Sequence, residues 1–349
     1  MKKTVFLFTF LTGMGITGLH GQIIKKTGCF SLTVEPALTF ASEKITENIY
    51  YSAPNEDKKI SMLEWENRML MYGIKLNSTY KNFWLNLNFF TSCKFLQTGQ
   101  MEDSDWRNTS DYSMKTNYSV GKINTGGNYE AGFETGLIFQ PNKLVEISPF
   151  LGIKYSFDSF SRQNATGWYG DSNFTSDGND HWWYSPEAQK FPYTIWSEEK
   201  EKYVTGRILP IDYIKHDFYS WLGILIRSSP SKKCNILFEI AVSPFSYYLT
   251  IDTHHAKKTD GYYEKHFKGI QYNFFNKIKN QVNVEFNFSK QFFLCIGIKK
   301  EYKIYENKGK LYLDHFLTTP QEQYYASSQK IEISNFEYNI EISLKIRIK

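Results

Sequence analysis

The sequence of 349 residues is poor in cysteine and, beyond its first residues, has no long apolar run. Its 4 cysteines stand singly with no Cys-x-x-Cys pair, which excludes a disulfide scaffold and the usual zinc-ligand spacings. No later segment approaches the roughly 18 consecutive apolar residues that indicate a spanning helix. The formal net charge of +5 is small and spread along the chain, which argues against a nucleic-acid partner.

The common signatures of catalysis are also missing. The sequence has no His-Glu-x-x-His helix, no Gly-x-Ser-x-Gly elbow, no glycine-rich phosphate loop and no recognisable cluster of metal ligands. We therefore expect neither a metal ion nor an organic cofactor. What remains for chemistry is a small set of carboxylates and histidines.

The N-terminus has the features of a cleaved signal peptide. Lys2 and Lys3 give it a positive start, Val5 to Leu11 form a short apolar stretch, and small residues follow up to a cleavage site near Gly21. A retained membrane anchor is disfavoured because it would need about 20 apolar residues. The sequence thus predicts a signal peptide over residues 1–21 and a mature domain over residues 22–349.

Aromatic residues, in contrast, are abundant, with 25 Tyr and 28 Phe, and many belong to segments of alternating polarity. The C-terminus shows the alternation best, because every second residue there is apolar: Phe336, Tyr338, Ile340, Ile342, Leu344, Ile346 and Ile348. Period two is typical of an extended strand, and an alternation this long suits a strand that crosses about 25 Å of hydrocarbon. The pattern favours a membrane barrel over the alternative of a secreted soluble β-protein.

Ten such segments predict an all-β fold, a ten-stranded antiparallel transmembrane β-barrel with long extracellular loops. The predicted strands are 30–50, 58–76, 82–100, 126–141, 145–162, 207–228, 234–252, 268–288, 291–306 and 331–348. Short polar turns alternate with longer connections, which are 51–57, 101–125, 163–206, 253–267 and 307–330. This alternation of loop length is typical of outer-membrane barrels, with short periplasmic turns and long extracellular loops.

Two pairs of ionisable residues lie where a predicted strand enters a long loop. Asp103 and Asp105 are two residues apart, so an extended backbone directs both carboxylates to one face. Asp252 and His254 share a face for the same reason. We expect the two pairs to face each other across the barrel mouth, although solvated loop residues would explain either pair taken alone.

Taken together, these residues resemble the omptin family of outer-membrane endopeptidases. The resemblance rests on Met101 to Trp106 and on Asp252 to His254, each at the top of its strand, and it extends over the mature chain. Further matching segments are Thr46–Tyr50, Leu63–Trp65 and Tyr155–Phe157. The resemblance implies a narrow barrel that extends beyond the bacterial outer membrane and acts on polypeptides at the cell surface.

The resemblance also implies a role for each site residue. His254 would be the general base that takes a proton from water, and Asp252 would hold its imidazole in the productive tautomer. Asp103 and Asp105 would position that water from the opposite wall. Strand parity places His255 on the other face, which disfavours it as the base, and His216 is predicted to be a lumen residue.

Specificity and lipid binding are where the sequence departs from the family pattern. Family members cleave next to basic residues through acids in the groove, and Glu47 matches one such acid as a substrate-binding residue. Thr250 stands where the family commonly has a second acid, and a hydroxyl cannot replace a carboxylate in a bidentate arginine contact. Ser159 stands where the family has a lipopolysaccharide-binding arginine, so either the host lipid or the activation differs here. The alternative function is a non-catalytic surface barrel, an adhesin or a structural protein.

Overall fold

The structure is a computed structural model of the chain. It describes residues 30–52, 56–107, 112–113, 115–169, 171–174, 180–183, 194–197, 202–205, 211–258, 261–304, 307–315 and 324–348. The predicted signal peptide, residues 1–21, lies outside the described residues. The described residues contain no helix that is long and apolar enough to cross a membrane.

Almost all of the described backbone is in β-strands, apart from one short 3-10 helix at Lys94–Leu96. The strands are β1 (Phe30–Ser52), β2 (Asp57–Tyr80), β3 (Phe83–Ser92), β4 (Thr98–Asp105), β5 (Asn117–Leu137), β6 (Phe139–Asn142), β7 (Val145–Tyr169), β8 (Asp171–Phe174), β9 (Asp180–Trp183), β10 (Thr194–Ser197), β11 (Lys202–Thr205), β12 (Ile211–Ser231), β13 (Cys234–Val242), β14 (Ser246–Lys258), β15 (Gly261–Asn273), β16 (Lys277–Asn287), β17 (Phe292–Lys303), β18 (Gly309–His315) and β19 (Tyr324–Ile348).

Within the described residues these elements form a closed antiparallel ring of ten barrel strands, as the alternation predicts. Five barrel strands are each made of two successive elements, namely β3 with β4, β5 with β6, β13 with β14, β15 with β16, and β17 with β18. The first strand closes the ring by pairing with β2 on one side and β19 on the other. Closure leaves no free sheet edge in the barrel wall, which a lipid environment requires.

The barrel strands run further than the sequence predicts at the long-loop end. β7 has 25 residues and β2 has 24, and β4 and β14 contain the four residues Asp103, Asp105, Asp252 and His254. The expected loops 101–125 and 253–267 are therefore largely strand. The prediction was too short because alternation of apolar and polar residues marks only the part of a strand that has lipid on one side.

The outer surface of the short-turn half carries a belt of exposed apolar side chains, including Phe40, Leu151, Ile153, Ile224 and Ile340. Beyond this belt the outward residues become polar; Lys44 and Glu64, for example, form an ion pair of 2.6 Å. We take the apolar belt as the membrane-spanning part of the barrel. The half that bears the long loops stands outside it, and so do the candidate site residues.

His216 lies on this outer wall, which corrects the prediction that it faces the lumen. Its Nδ1 lies 2.8 Å from the Tyr155 hydroxyl, and its ring packs 5.1 Å from that of Phe157. The neighbouring residues Lys215 and Asp217 are the ones that point inward, because successive side chains of a strand alternate.

Inside the barrel, an apolar layer separates the mouth from the charged interior. Trp65 is fully buried and its ring lies 5.7 Å from Phe160 and 5.1 Å from Tyr213. The other members of this layer, which we call the floor, are Ile45, Leu63, Met101, Ile123 and Ile211.

Below the floor the interior is strongly charged. The buried Lys215 ammonium pairs with three carboxylates, those of Glu43, Asp158 and Asp217, at 2.8 to 3.0 Å. Closer to the short turns lies a polar cavity of about 280 Å³. The floor thus forms the base of the barrel mouth on the long-loop side, which we call the groove.

Candidate active site

The five residues singled out in the sequence all lie in the barrel mouth above the floor. Asp103 and Asp105 are on β4, which pairs with β2 and β5, whereas Asp252 and His254 are on β14, which pairs with β12 and β15. The two pairs therefore occupy opposing walls, and Glu47 lies on β1, where the Asp252 carboxylate of the second pair acts on it. The expectation that they face each other agrees with this placement.

His254 and Asp252 are joined by a hydrogen bond of 2.7 Å between the imidazole Nε2 and the carboxylate Oδ2. The two residues are one strand repeat apart, so their side chains leave the backbone on the same face. Asp252 is buried, whereas the His254 side chain is about one-third exposed, and Phe267 meets the imidazole edge-on at 5.2 Å. The carboxylate and the phenyl ring fix the imidazole, and Nδ1 is the nitrogen that this hydrogen bond leaves for a second partner.

The charges around His254 set its protonation. Burial by itself would lower the pKa of the imidazole, but the Asp252 carboxylate beside it and Asp103 across the mouth raise it, so the pKa lies above its ordinary value of 6.5. A base with a pKa near the working pH is well suited to take up and return a proton.

The Asp103 side chain is nearly buried, and its negative charge acts on the His254 imidazole across the barrel mouth. Burial and the neighbouring Asp105 raise the pKa of Asp103 to about 6, whereas His254 and Arg162 act in the opposite direction. The carboxylate is thus ionised at neutral pH and places a negative charge opposite the imidazole. This electrostatic link joins the two walls of the site.

Asp105 has partners of its own in the wall. Its Oδ2 accepts hydrogen bonds from Arg107 Nη2 at 2.7 Å and from Asn117 Nδ2 at 3.1 Å. The same-face placement predicted for Asp103 and Asp105 is present, since both point inward and both are buried. The two carboxylates nevertheless differ, because Asp105 is anchored by a cation and an amide.

Glu47 is buried at the bottom of the groove, next to the floor residue Tyr213. Its side chain is 1% exposed, and its Oε2 accepts a hydrogen bond of 3.2 Å from the Tyr213 hydroxyl. Burial and the Asp252 carboxylate raise the pKa of Glu47 to about 8, so the group is protonated at neutral pH. Thr250, two residues before Asp252, is also fully buried.

Arg162 belongs to the same site, although the sequence did not single it out. It is 1% exposed and its Nη1 donates a hydrogen bond of 2.7 Å to Ser119 Oγ. Arg162 is the last residue of the predicted strand 145–162, so no local motif indicated that its side chain faces the barrel mouth. The parity of β7 could have found it, because Lys154, Asp158 and Arg162 follow one another at even spacing on the inward face.

One further histidine, His266, can be placed relative to the site. His266 has its Nδ1 3.2 Å from the Thr253 hydroxyl, away from the Asp252 carboxylate. The side chain of His255 lies outside the described residues. In the part of the chain that the structure describes, no group of three or more His, Cys, Asp or Glu side chains could hold a metal ion.

A family model described as the Omptin family matches residues 30–204, half of the chain. The chain belongs to the omptin family. Glu47, Asp103, Asp105 and Arg162 lie within the matched segment, whereas Asp252 and His254 lie beyond it. The omptin match therefore agrees with the resemblance that the sequence motifs suggest. It does not cover Asp252 and His254, whose assignment depends on the structure.

The fold is similar to that of a solved outer membrane protease. The crystal structure of the outer membrane protease OmpT from Escherichia coli has a TM-score of 0.71 at 14% identity, covering 93% of this chain and 99% of that chain. At this identity the likeness concerns the fold alone, which is that of a bacterial outer-membrane β-barrel.

Other solved barrels are much less similar to this omptin. The toluene transporter TodX from P. putida has a TM-score of 0.29 at 7% identity, covering 91% of this chain and 90% of that chain. The translocator domain of the autotransporter NalP from Neisseria meningitidis has a TM-score of 0.29 at 9% identity, covering 89% and 88%. No curated protein matches the chain in sequence.

Proposed function

We propose that this omptin is an outer-membrane endopeptidase that hydrolyses peptide bonds with a water molecule activated by His254. Membership of the omptin family and the fold of an outer membrane protease support a protease in general. The observation that carries the finer proposal is the 2.7 Å hydrogen bond between His254 and Asp252, which faces Asp103 across the mouth.

The two residues of the β14 pair have separate tasks in the reaction. His254 takes a proton from water through Nδ1, and the water oxygen attacks the scissile carbonyl carbon. Asp252 holds the ring through Nε2 and stabilises the imidazolium that forms. His254 then gives the proton to the departing amine as the C–N bond breaks, which leaves a free acid and a free amine. Such general acid–base catalysis contributes about 10²–10⁴-fold.

Asp103 and Asp105 act from the opposite wall. Asp103 accepts a hydrogen bond from the attacking water and orients it toward the carbonyl carbon. Asp105 is a positioning residue, because Arg107 and Asn117 hold its carboxylate in the wall next to Asp103.

We further propose that the long-loop end faces the outside of the cell, so that the substrates are surface-accessible polypeptides. The short turns would then lie in the periplasm. Outer-membrane lipid surrounds the apolar belt. The family's dependence on lipopolysaccharide is not carried over, because Ser159 stands where the family has a lipopolysaccharide-binding arginine. Cleavage next to basic residues stays a prediction from the family resemblance, and Glu47, the acid on which it rests, is buried and protonated at neutral pH.

Trapping of the acyl group tests direct attack by water. A quenched peptide is hydrolysed by the folded barrel in the presence of hydroxylamine, and the products are identified by mass spectrometry. Direct attack by water predicts only the free carboxylic acid at the new C-terminus. A hydroxamate at that position would show a covalent acyl-enzyme and contradict the proposed mechanism.

A further inference from the structure

Three buried oxygen atoms at the bottom of the groove have no hydrogen-bond partner within the described part of the chain. They are Glu47 Oε1, Thr250 Oγ1 and Asp252 Oδ1. Each of the three residues is at most 1% exposed. A buried polar atom without a partner is costly, so native structures rarely leave one unsatisfied. Three such atoms beside the catalytic pair therefore call for an arrangement that satisfies them together.

The strands bring the three side chains to one place. Thr250 and Asp252 are two residues apart on β14, so both point to the same face. Tyr213 on β12 is the direct cross-strand partner of Asp252, and its hydroxyl donates a hydrogen bond to Glu47 Oε2. Tyr213 thus holds the Glu47 carboxyl beside β14, with Oε1 as the oxygen that this hydrogen bond leaves free.

The neighbours of Thr250 on the adjacent strands leave its hydroxyl to Glu47. On β15 its cross-strand partner is Gly269, where a Cβ atom would lie only 2.5 Å from Thr250 Oγ1. On β12 its partner is Lys215, whose ammonium is already paired with three carboxylates. The hydroxyl lies near enough to Glu47 to lower the pKa of its carboxyl.

A count of donors shows how the three oxygen atoms can be satisfied. Burial and the Asp252 carboxylate outweigh the Thr250 and Tyr213 hydroxyls and raise the pKa of Glu47 to about 8, so the acid carries a proton at pH 7. A protonated acid has one donor, a hydroxyl donates once and also accepts, and an ionised carboxylate only accepts. Glu47 Oε1–H can therefore donate to Thr250 Oγ1, while the Thr250 hydroxyl donates to Asp252 Oδ1.

We propose that Glu47 and Thr250 form a hydrogen-bond relay that fixes the Asp252 carboxylate, and that both are positioning residues for His254. The proposal rests on the proposed function, in which Asp252 holds the imidazole. His254 Nε2 bonds Asp252 Oδ2, and the relay bonds Oδ1. With both of its oxygens bonded, the carboxylate cannot turn away from the imidazole during the reaction.

Substitution of Thr250 tests the relay at its centre. Thr250→Val removes the hydroxyl and keeps the branched shape, whereas Thr250→Ser keeps the hydroxyl and is the matched control. We expect kcat to fall by about tenfold or more in Thr250→Val, with little change in KM, and to be largely recovered in Thr250→Ser. Quenched peptides with lysine or methionine before the cleaved bond should lose activity by the same factor. Heat-modifiable migration in electrophoresis shows that each variant has folded.

The pH profile tests the proton on Glu47. The cross-strand partners of Glu47 on β2 and β19 are apolar, so the titratable groups that act on it are Tyr213, Asp252 and His254. The pKa of Tyr213 is raised well above its ordinary value, so the tyrosine keeps its proton at pH 8. The kcat of the wild type should therefore fall above about pH 8, as Glu47 loses its donor. Glu47→Gln, whose amide donates at every pH, should lack this alkaline fall.

An unchanged kcat in Thr250→Val would overturn the relay while leaving the endopeptidase intact. A loss confined to the lysine peptide would also overturn it, because Thr250 would then act on the substrate and not on Asp252. Should the wild type cleave no peptide, the proposed function fails, and NMR titration of His254 decides the relay separately. The imidazole signal of the wild type should then show a second step near pH 8 that Glu47→Gln lacks. A wild type without this step would overturn the relay.

Discussion

The Tyr213 hydroxyl donates a hydrogen bond of 3.2 Å to Glu47 Oε2 from the opposite side of the ten-stranded ring. Tyr213 lies on β12 and Glu47 on β1, so this bond joins two strands that share no backbone ladder within the described residues. The tyrosine ring also packs on Trp65. The bond therefore completes the floor and keeps Glu47 out of solvent.

Tyr213→Phe tests this bond. The substitution leaves the ring in place and removes only the donor, so a buried acceptor loses its partner, which costs about 1–3 kcal/mol. We expect a lower free energy of unfolding in urea titrations of the lipid- or detergent-embedded barrel. Tyr72→Phe is the matched control, because Tyr72 is 52% exposed. Removal of its hydroxyl should change the free energy of unfolding by less than about 0.5 kcal/mol.

The protonation of His254 should respond in opposite directions to two substitutions. Asp103 raises the pKa of the imidazole and Arg162 lowers it. Asp103→Asn should therefore move the titration of His254 to lower pH, and Arg162→Gln should move it to higher pH. Because the base acts when it is neutral, the acid limb of kcat/KM in Arg162→Gln should shift to higher pH. Histidine-selective NMR titration checks both shifts, and shifts of the same sign would contradict the assigned geometry.

The burial of Glu47 makes stability depend on pH. Its folded-state pKa is raised to about 8 from an ordinary value of 4.5, so the folded chain binds the proton more tightly than the unfolded chain does. This contribution is complete below about pH 4.5 and is lost as the pH rises through 8. Glu47→Gln, which mimics the protonated acid, should unfold at higher urea than the wild type at pH 9. The difference should vanish near pH 4, and a difference that grows toward acid would contradict a protonated Glu47.

The floor should contribute strongly to stability through Trp65. The side chain is fully buried against Phe160 and Tyr213, and replacing a buried tryptophan by alanine typically costs 3–5 kcal/mol. Trp65→Ala should therefore lower the free energy of unfolding by about that amount. Trp65→Phe retains an aromatic ring, so its free energy of unfolding should fall by less than half as much. Equal decreases in the two variants would show that the aromatic stacking is unimportant.

The sequence was sufficient for the membrane-spanning part of the fold. Alternation along Phe336 to Ile348 marks a strand with lipid on one face, and the predicted ten-stranded antiparallel barrel is confirmed. This alternation is absent beyond the apolar belt, because both faces of the strands there contact water or polar groups. The strands there were predicted too short for that reason.

The candidate site was partly predictable for a related reason. Asp-x-Asp and Asp-x-His are recognisable because residues two apart share a face of any extended chain. Arg162 carries no such local pattern, and its position depends on the register between β7, β12 and β14. The capping of Glu47 by Tyr213 likewise depends on a contact between residues 166 positions apart, which the sequence does not reveal.

The most direct test of the central claim is hydrolysis of internally quenched peptides by the refolded barrel and by its His254→Ala variant. His216→Ala is the matched control, since His216 lies on the outer wall beside Tyr155. We predict cleavage by the wild type and by His216→Ala, and a fall in kcat of about 10²–10⁴-fold in His254→Ala. Equal activity in wild type and His254→Ala, or no hydrolysis by a correctly folded wild type, would contradict the account.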